Sequence, residues 1–226
     1  MRVLGIDEAG RGCVIGDLVV AGFVTETDDE DALRNAGAAD SKTLAPPARE
    51  QARQLLRALG RVELRRIPAP RIDERNLNAL EEDAIVSLVR TFRPDTIRLD
   101  ALGHPAMLPA LQRRLEARLP RKLRPRWIIE PRADATFAVV GAASIFAKTH
   151  RDEALDRIRS RWGDLGSGYP SDPKTRDWLR SWARTGAPWP SFVRTRWATV
   201  RALAQGTLFG EPEPLIAPAG AEPSGA

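Results

Sequence analysis

The chain has 226 residues, of which 42% are hydrophobic and 29% charged, and its formal net charge is +5. This composition excludes a disordered chain and predicts a globular protein with one sizeable core. The single cysteine, Cys13, excludes an intramolecular disulfide, and with only two histidines a cysteine–histidine zinc cluster is excluded as well. No apolar stretch approaches the roughly 18 residues of a membrane helix, and no signal peptide is evident, so we expect a soluble, cytoplasmic protein.

Hydrophobic periodicity and turn residues predict alternating strands and helices. The predicted strands are residues 2–6, 18–25, 61–67, 96–100 and 126–130, and the predicted helices are residues 30–35, 46–59, 77–92, 109–119 and 138–162. This alternation predicts an α/β core with a helical C-terminal addition. The addition is rich in tryptophan, and packing in its core explains the tryptophans better than base stacking does. Residues 210–226 are rich in proline, glycine and alanine and are predicted to be disordered.

Residues 5–12, Gly-Ile-Asp-Glu-Ala-Gly-Arg-Gly, form the most informative segment of the chain. Asp7 and Glu8 end an apolar run, and acidic side chains at a strand end are typical of divalent-metal sites. The turn that follows, Gly10-Arg11-Gly12, is flexible and basic, and glycines let backbone amides approach a ligand closely. An acidic dipeptide alone is usually an ordinary strand end, but the whole segment indicates an enzyme that acts on a phosphodiester.

Four acids recur at similar predicted positions, which favours a shared metal site. Asp100 ends an apolar strand as Asp7 and Glu8 do, and Asp134 lies just before the long predicted helix. Taken singly, Asp100 is better explained as a turn residue and Asp134 as a helix cap. Together the carboxylates would repel one another unless a cation neutralised them. Their oxygen ligands favour Mg²⁺ or Mn²⁺, and two such cations about 3.5–4 Å apart can promote phosphodiester hydrolysis.

The ordered motifs resemble the ribonuclease HII (type 2 ribonuclease H) family. The similarity extends over about residues 3 to 200. Trp189-Pro190 and Phe192-Val193-Arg194 look more like its archaeal-type branch than the common bacterial one. The matching segments are residues 5–12, Asp40-Ser41-Lys42, Leu99-Asp100, Arg132-Ala133-Asp134, residues 142–148 with Arg151-Asp152, and residues 166–172.

The resemblance implies a ribonuclease H-like fold, with a mixed five-stranded sheet flanked by helices. It implies an endonuclease that hydrolyses the RNA strand of RNA–DNA hybrids and nicks duplex DNA 5′ of single ribonucleotides. The products would carry 3′-hydroxyl and 5′-phosphate ends, as expected of ribonucleotide excision repair. On this basis residues 1–160 would be the catalytic core, residues 161–209 a helical region that contacts substrate, and residues 210–226 a tail.

Site residues carry over from the resemblance position by position. Asp7, Glu8, Asp100 and Asp134 match the catalytic, metal-binding acids of the family. Gly10, Arg11 and Gly12 match the turn that senses the ribose 2′-hydroxyl, a group that both donates and accepts hydrogen bonds. Tyr169, the only tyrosine of the chain, matches the residue that stacks against the sugar at the RNA–DNA junction. The polar residues that match positions close to the nucleic-acid backbone are Ser41, Lys42, Ser144 and Lys148.

Some positions have two explanations or depart from the family pattern. Ser144, Lys148 and Asp152 share one helix face, which could equally be a salt-bridged surface. The family usually has proline where this chain has Cys13 and again where it has Asp17, and Asp17 either adds negative charge near the metal site or points away from it. Gln205-Gly206-Thr207-Leu208-Phe209 faintly resembles the start of a sliding-clamp binding box, but the second aromatic anchor is missing.

Three classes of function remain open at this point. A hybrid-specific, metal-dependent endonuclease that works as a monomer is favoured. An inert RNA–DNA binding module on the same fold would have lost at least one of the four acids, and all four are present. A transposase-like or resolvase-like nuclease would share the acids but not the combination of the glycine turn with Tyr169.

Overall fold

A five-stranded mixed sheet forms the centre of the structure, a computed structural model that describes residues 1–38, 46–100 and 105–204. The sheet has the order β3-β2-β1-β4-β5, with β1 antiparallel to β2 and parallel to β4. Because β1, β4 and β5 are parallel, their carboxyl ends meet at one edge of the sheet. The strands are β1 (Val3–Ala9), β2 (Leu18–Thr25), β3 (Arg61–Ile67), β4 (Thr96–Asp100) and β5 (Arg126–Glu130).

Helices cover both faces of the sheet, because alternate side chains of its inner strands are apolar on both sides. Val19, Ala21 and Phe23 of β2 join the core on one face, and Leu18 and Val20 join the core on the other. The helices are α1 (Glu30–Asn35), α2 (Pro46–Leu59), α3 (Ala69–Glu74), α4 (Leu77–Phe92), α5 (Leu108–Ala117), α6 (Ala133–Thr136), α7 (Ala138–Trp162), α8 (Pro173–Arg184) and α9 (Ala198–Ala204). Helices α1, α2 and α7 contribute to the first core, and α4 and α5 to the second.

The last helices form a third, smaller core with the second half of α7. Buried Leu155, Leu179 and Val200 meet there, and several tryptophans pack against them. Trp178 stacks on Trp182 with ring centroids 5.6 Å apart. The tryptophans thus serve packing, as the sequence analysis favoured.

Gly5 allows α7 to lie directly on β1. A Cβ atom at this position would lie 2.1 Å from the carbonyl oxygen of Val139, which real Cβ atoms essentially never do. The same helix carries Ser144 and Lys148 further along. The absence of a side chain at Gly5 therefore sets how close these residues come to the end of β1.

We expect Gly5→Ala to lower the free energy of unfolding by about 2–3 kcal/mol, because the new methyl group forces α7 off the sheet. Thermal or urea unfolding measures the loss. Gly22→Ala is the matched control, since its Cβ would meet only the ends of the Leu4 and Leu88 side chains at 3.2–3.3 Å. Equal losses in the two variants would contradict this account of Gly5.

The architecture confirms the predicted fold, a mixed five-stranded sheet flanked by helices, and corrects some boundaries. β1 continues to Ala9, so Asp7 and Glu8 lie within the strand rather than after it. The short helices α3 and α6 were not predicted, and Asp134, predicted just before the long helix, lies there within α6. No helix in the described part of the chain is long and apolar enough to cross a bilayer. Ser41, Lys42 and residues 205–226 lie outside the described residues.

Candidate active site

The sheet edge formed by β1 and β4 places two predicted acids side by side. Ile6 pairs with Leu99, so Asp7 and Asp100 are the next residues on two neighbouring parallel strands. The backbone N–H of Ala133 donates to Asp100 Oδ1 at 3.2 Å, which ties the start of α6 to the end of β4. Asp134, the next residue, is buried. The fold thus carries these three acids to one edge of the sheet.

Two of the acids at this edge, Asp7 and Glu8, lie in surroundings that disfavour their charged forms. Burial, together with the charge of Asp100, raises the pKa of Asp7 from 3.8 to about 6, against hydrogen bonds from Ser144 and the Glu8 N–H. Burial and the charges of Asp7 and Asp100 raise the pKa of Glu8 to about 7, although Arg11 opposes the shift. A bound cation would relieve both the cost of burying these carboxylates in their charged form and their mutual repulsion.

The donors fit a hard divalent cation, but the described residues do not gather them into one finished ligand sphere. Within those residues, no group of three or more His, Cys, Asp or Glu side chains is arranged to hold a metal ion. Neighbouring side chains of a strand point to opposite faces, so Asp7 and Glu8 leave β1 in different directions. All the acids nevertheless offer only oxygen ligands, which suits Mg²⁺ or Mn²⁺.

Helix α7 brings two of the predicted polar residues to Asp7. Ser144 is fully buried and forms a hydrogen bond with the Asp7 carboxylate. The positive charge of Lys148, one turn further along, lowers the pKa of Asp7. Asp152, one more turn along, instead forms an ion pair with Arg49 at 2.8 Å. The first two residues therefore face the acids, and the third belongs to a salt-bridged surface.

The turn at residues 10–12 presents its backbone, while its arginine side chain is engaged elsewhere. Gly10 has φ +90°, and a Cβ there would lie 2.7 Å from the carbonyl oxygen of Asp17. The Arg11 guanidinium forms an ion pair with buried Glu81 of α4 and donates to Asn78 Oδ1 at 2.5 Å. The Arg11 side chain is thus engaged by α4.

Arg194, to which the sequence analysis gave no role, supports this turn through hydrogen bonds to backbone carbonyl oxygens. Its side chain is fully buried and donates to the carbonyl oxygens of Gly10 (2.7 Å), Arg11 (2.9 Å) and Gly16 (3.0 Å). Burial lowers the pKa of Arg194 to about 10, so the guanidinium stays charged at neutral pH. The only signal for it in the sequence was its place in the Phe192-Val193-Arg194 match.

Tyr169 lies directly against the turn. A Cβ atom on Gly12 would be 3.8 Å from Tyr169 Cε1, and the N–H groups of Val14 and Ile15 both donate to the carbonyl of Gly168. The guanidinium of Arg151 lies over the ring, 5.1 Å from its centroid. Burial, then Cys13, raises the pKa of Tyr169, so its hydroxyl stays protonated at neutral pH.

Asp17 is engaged in an ion pair. Its carboxylate forms an ion pair with Arg66 at the end of β3, at 2.7 Å. The negative charge of Asp17, for which the sequence left two explanations, is thus paired with an arginine of β3.

Comparison with known proteins assigns the chain to a family. The family model described as Ribonuclease HII matches residues 4–200. The chain belongs to the ribonuclease HII family. Ribonuclease HII of Archaeoglobus fulgidus is 39% identical over 208 residues, which are 90% of this chain and 97% of that protein. Ribonuclease HII of Pyrococcus furiosus is 37% identical over 212 residues, 91% of this chain and 92% of its own length. The chain is therefore a member of a nuclease family, and these archaeal relatives confirm the predicted branch.

Solved structures of the family support the same assignment. The crystal structure of ribonuclease H2 from Pyrococcus horikoshii aligns with a TM-score of 0.82 at 36% identity, covering 92% of this chain and 99% of that one. Ribonuclease HII from A. fulgidus, solved as a complex with PCNA, aligns with a TM-score of 0.78 at 36% identity, covering 87% of this chain and 95% of that one. Bst-RNase HIII in complex with Mn²⁺ shares the fold at 19% identity and a TM-score of 0.73, covering 92% of this chain and 70% of that one.

Proposed function

We propose that this ribonuclease HII family member is an endonuclease that hydrolyses the RNA strand of RNA–DNA hybrids. It would also nick duplex DNA 5′ of single embedded ribonucleotides and leave 3′-hydroxyl and 5′-phosphate ends. The observation that carries the proposal is the proximity of Tyr169 to the turn at residues 10–12, which directly follows the acidic end of β1. A catalytic site that cuts phosphodiesters would then lie next to a recognition site that distinguishes ribose from deoxyribose.

The four acids would form the catalytic site. Asp7 and Asp100 would hold two divalent cations centrally, with Glu8 and Asp134 at the flanks. When bound, the cations would activate water for in-line attack on the phosphate and stabilise the leaving oxygen. Ser144 orients the Asp7 carboxylate by its hydrogen bond, and Lys148 adds positive charge close to where the scissile phosphate would lie.

The turn and Tyr169 would form the recognition site. Peptide groups of Gly10, Arg11 and Gly12 would form hydrogen bonds with the 2′-hydroxyl, which a deoxynucleotide lacks. Tyr169, with one face covered by Arg151, would stack on the sugar at the RNA–DNA junction. Ser41 and Lys42 are proposed to contact the nucleic-acid backbone.

Further assignments rest on the family. The complex of the A. fulgidus enzyme with PCNA supports a sliding-clamp contact, for which Gln205-Gly206-Thr207-Leu208-Phe209 is the proposed segment. We assign residues 1–160 to catalysis and residues 161–209 to a helical region that contacts substrate. A monomer that acts in the cytoplasm in ribonucleotide excision repair is the proposed cellular form.

The test is a DNA duplex with one ribonucleotide, incubated with the protein and Mg²⁺ or Mn²⁺. We expect a single nick on the 5′ side of the ribonucleotide. Only there can the recognition site bind a 2′-hydroxyl while the catalytic site binds the reacting phosphate. Product ends are read by ligation and by mobility against standards. Addition of a chelator should abolish the nick.

Two outcomes would contradict the proposal. Equal cutting of an all-DNA duplex of the same sequence would show that the 2′-hydroxyl is not read. Tight binding of the duplex without any cutting in either metal would favour the inert binding module.

A further inference from the structure

Cys13 occupies a buried position between the turn and the loop that carries Tyr169. Its side chain has no exposed surface, and its backbone N–H donates to the Gly10 carbonyl at 3.3 Å. The Tyr169 hydroxyl forms a hydrogen bond with the Cys13 side chain. The thiol thus interacts with the hydroxyl of the tyrosine that lies near Gly12, although Cys13 and Tyr169 belong to different segments of the chain.

Arg151 of α7 contacts both Cys13 and Tyr169, so the three side chains form a cluster. Its Nη2 donates both to Cys13 Sγ, at 3.1 Å, and to the carbonyl oxygen of Ser167. The same guanidinium lies over the Tyr169 ring, and its Cδ would be 3.6 Å from a Cβ on Gly10. One arginine therefore contacts the thiol, the ring and the loop before it, and lies close to the turn.

We propose that Cys13 is a positioning residue that fixes the Tyr169 ring for the ribonucleotide junction, directly through the tyrosine hydroxyl and indirectly through Arg151. The proposal rests on the proposed function, since it assumes that Tyr169 packs on the sugar. Sulfur is large enough to reach both the guanidinium and the hydroxyl from the backbone of the turn. Cys13 does not touch the reacting atoms and acts through Tyr169.

Removal of the sulfur should loosen the ring without unfolding the turn. In Cys13→Ala the backbone hydrogen bond to Gly10 remains, while Arg151 keeps the Ser167 carbonyl but loses the thiol. Tyr169 then loses one of its two restraints. Binding of the junction should suffer more than the chemical step, because the acids and the α7 residues beside them are untouched.

A double-mutant cycle on the duplex with one ribonucleotide tests this role. We expect Cys13→Ala to raise KM by about 5- to 10-fold with kcat changed by less than about twofold. In a Tyr169→Ala background the same change should alter KM by less than about twofold, because the ring it positions is gone. Cys13→Ser, which keeps a polar partner, should recover most of the loss.

Controls separate positioning from a general loss of stability. Val200→Ala removes buried methyl groups from the third core and should lower the melting temperature without raising KM. An unchanged KM in Cys13→Ala, or an equal rise in both backgrounds, would overturn the proposal. A wild-type protein that leaves the ribonucleotide duplex intact would instead refute the proposed function.

Discussion

Asp7→Asn is expected to abolish cleavage and, at the same time, to stabilise the metal-free protein. Asparagine retains the oxygen that accepts the Glu8 N–H at 2.8 Å, so the local backbone should persist. It removes one negative charge from the group that includes Glu8 and Asp100. We expect kcat to fall by at least about 10³-fold, because the cations would lose a central ligand.

The sign of the stability change follows from the raised pKa of Asp7. An acid whose pKa is higher in the folded than in the unfolded protein costs no stability well below the unfolded pKa of 3.8, and the cost grows as the pH rises to the folded pKa of about 6. At neutral pH the cost is fully present. Replacement of Asp7 by Asn removes this cost and should raise the free energy of unfolding by about 1–3 kcal/mol. At about pH 3, below the unfolded pKa, the gain should nearly vanish.

Melting curves with and without Mn²⁺, at both pH values, measure these changes. The wild-type melting temperature should rise with Mn²⁺ at neutral pH, since binding to the folded state stabilises it, and that of Asp7→Asn should respond much less. Asp83→Asn is the control, for which we expect a change in stability of the opposite sign. Burial raises the pKa of Asp83, but hydrogen bonds from Arg118 and Arg75 lower it overall, so this variant should lose stability and keep its activity. An Asp7→Asn protein that cleaves normally would remove Asp7 from the catalytic set.

Local patterns were enough to predict most of the strands of the sheet. β4 and β5 begin and end where the sequence placed them, because short apolar runs bounded by turn residues leave few alternatives. The approach of Asp7 and Asp100 followed from parallel strands ending at one edge. The short α3 and α6 were missed, since one or two helical turns carry no clear periodicity.

The contacts that shape the turn could not be predicted, because their partners are distant in sequence. Arg11 reaches Glu81 on α4, and Arg194 reaches back to Gly10 and Gly16 across most of the chain. Nothing local in Phe192-Val193-Arg194 shows that the arginine is buried rather than exposed. Only the tertiary fold reveals that a charged residue near the C-terminus supports a backbone turn near the N-terminus.

Arg194→Lys is expected to impair both stability and recognition of the 2′-hydroxyl. Lysine keeps the charge but cannot satisfy three carbonyl oxygens at the separate positions that the planar guanidinium reaches. Each buried carbonyl left without its partner costs about 1–3 kcal/mol. A loosened turn should lower kcat/KM on the duplex with one ribonucleotide by about 10- to 100-fold, because small misplacements of positioning groups are costly.

The decisive measurement is the ratio of kcat/KM for a ribonucleotide to that for a 2′-fluoro nucleotide at the same position. Fluorine cannot donate a hydrogen bond, so displacement of the turn in Arg194→Lys should reduce the ratio rather than only slow both reactions. Arg65→Lys is the matched control, since Arg65 also donates to several partners, Glu63, Leu64, Ser87 and Thr91, but lies on the edge strand β3. A destabilised Arg194→Lys protein with the wild-type ratio would limit Arg194 to a role in folding.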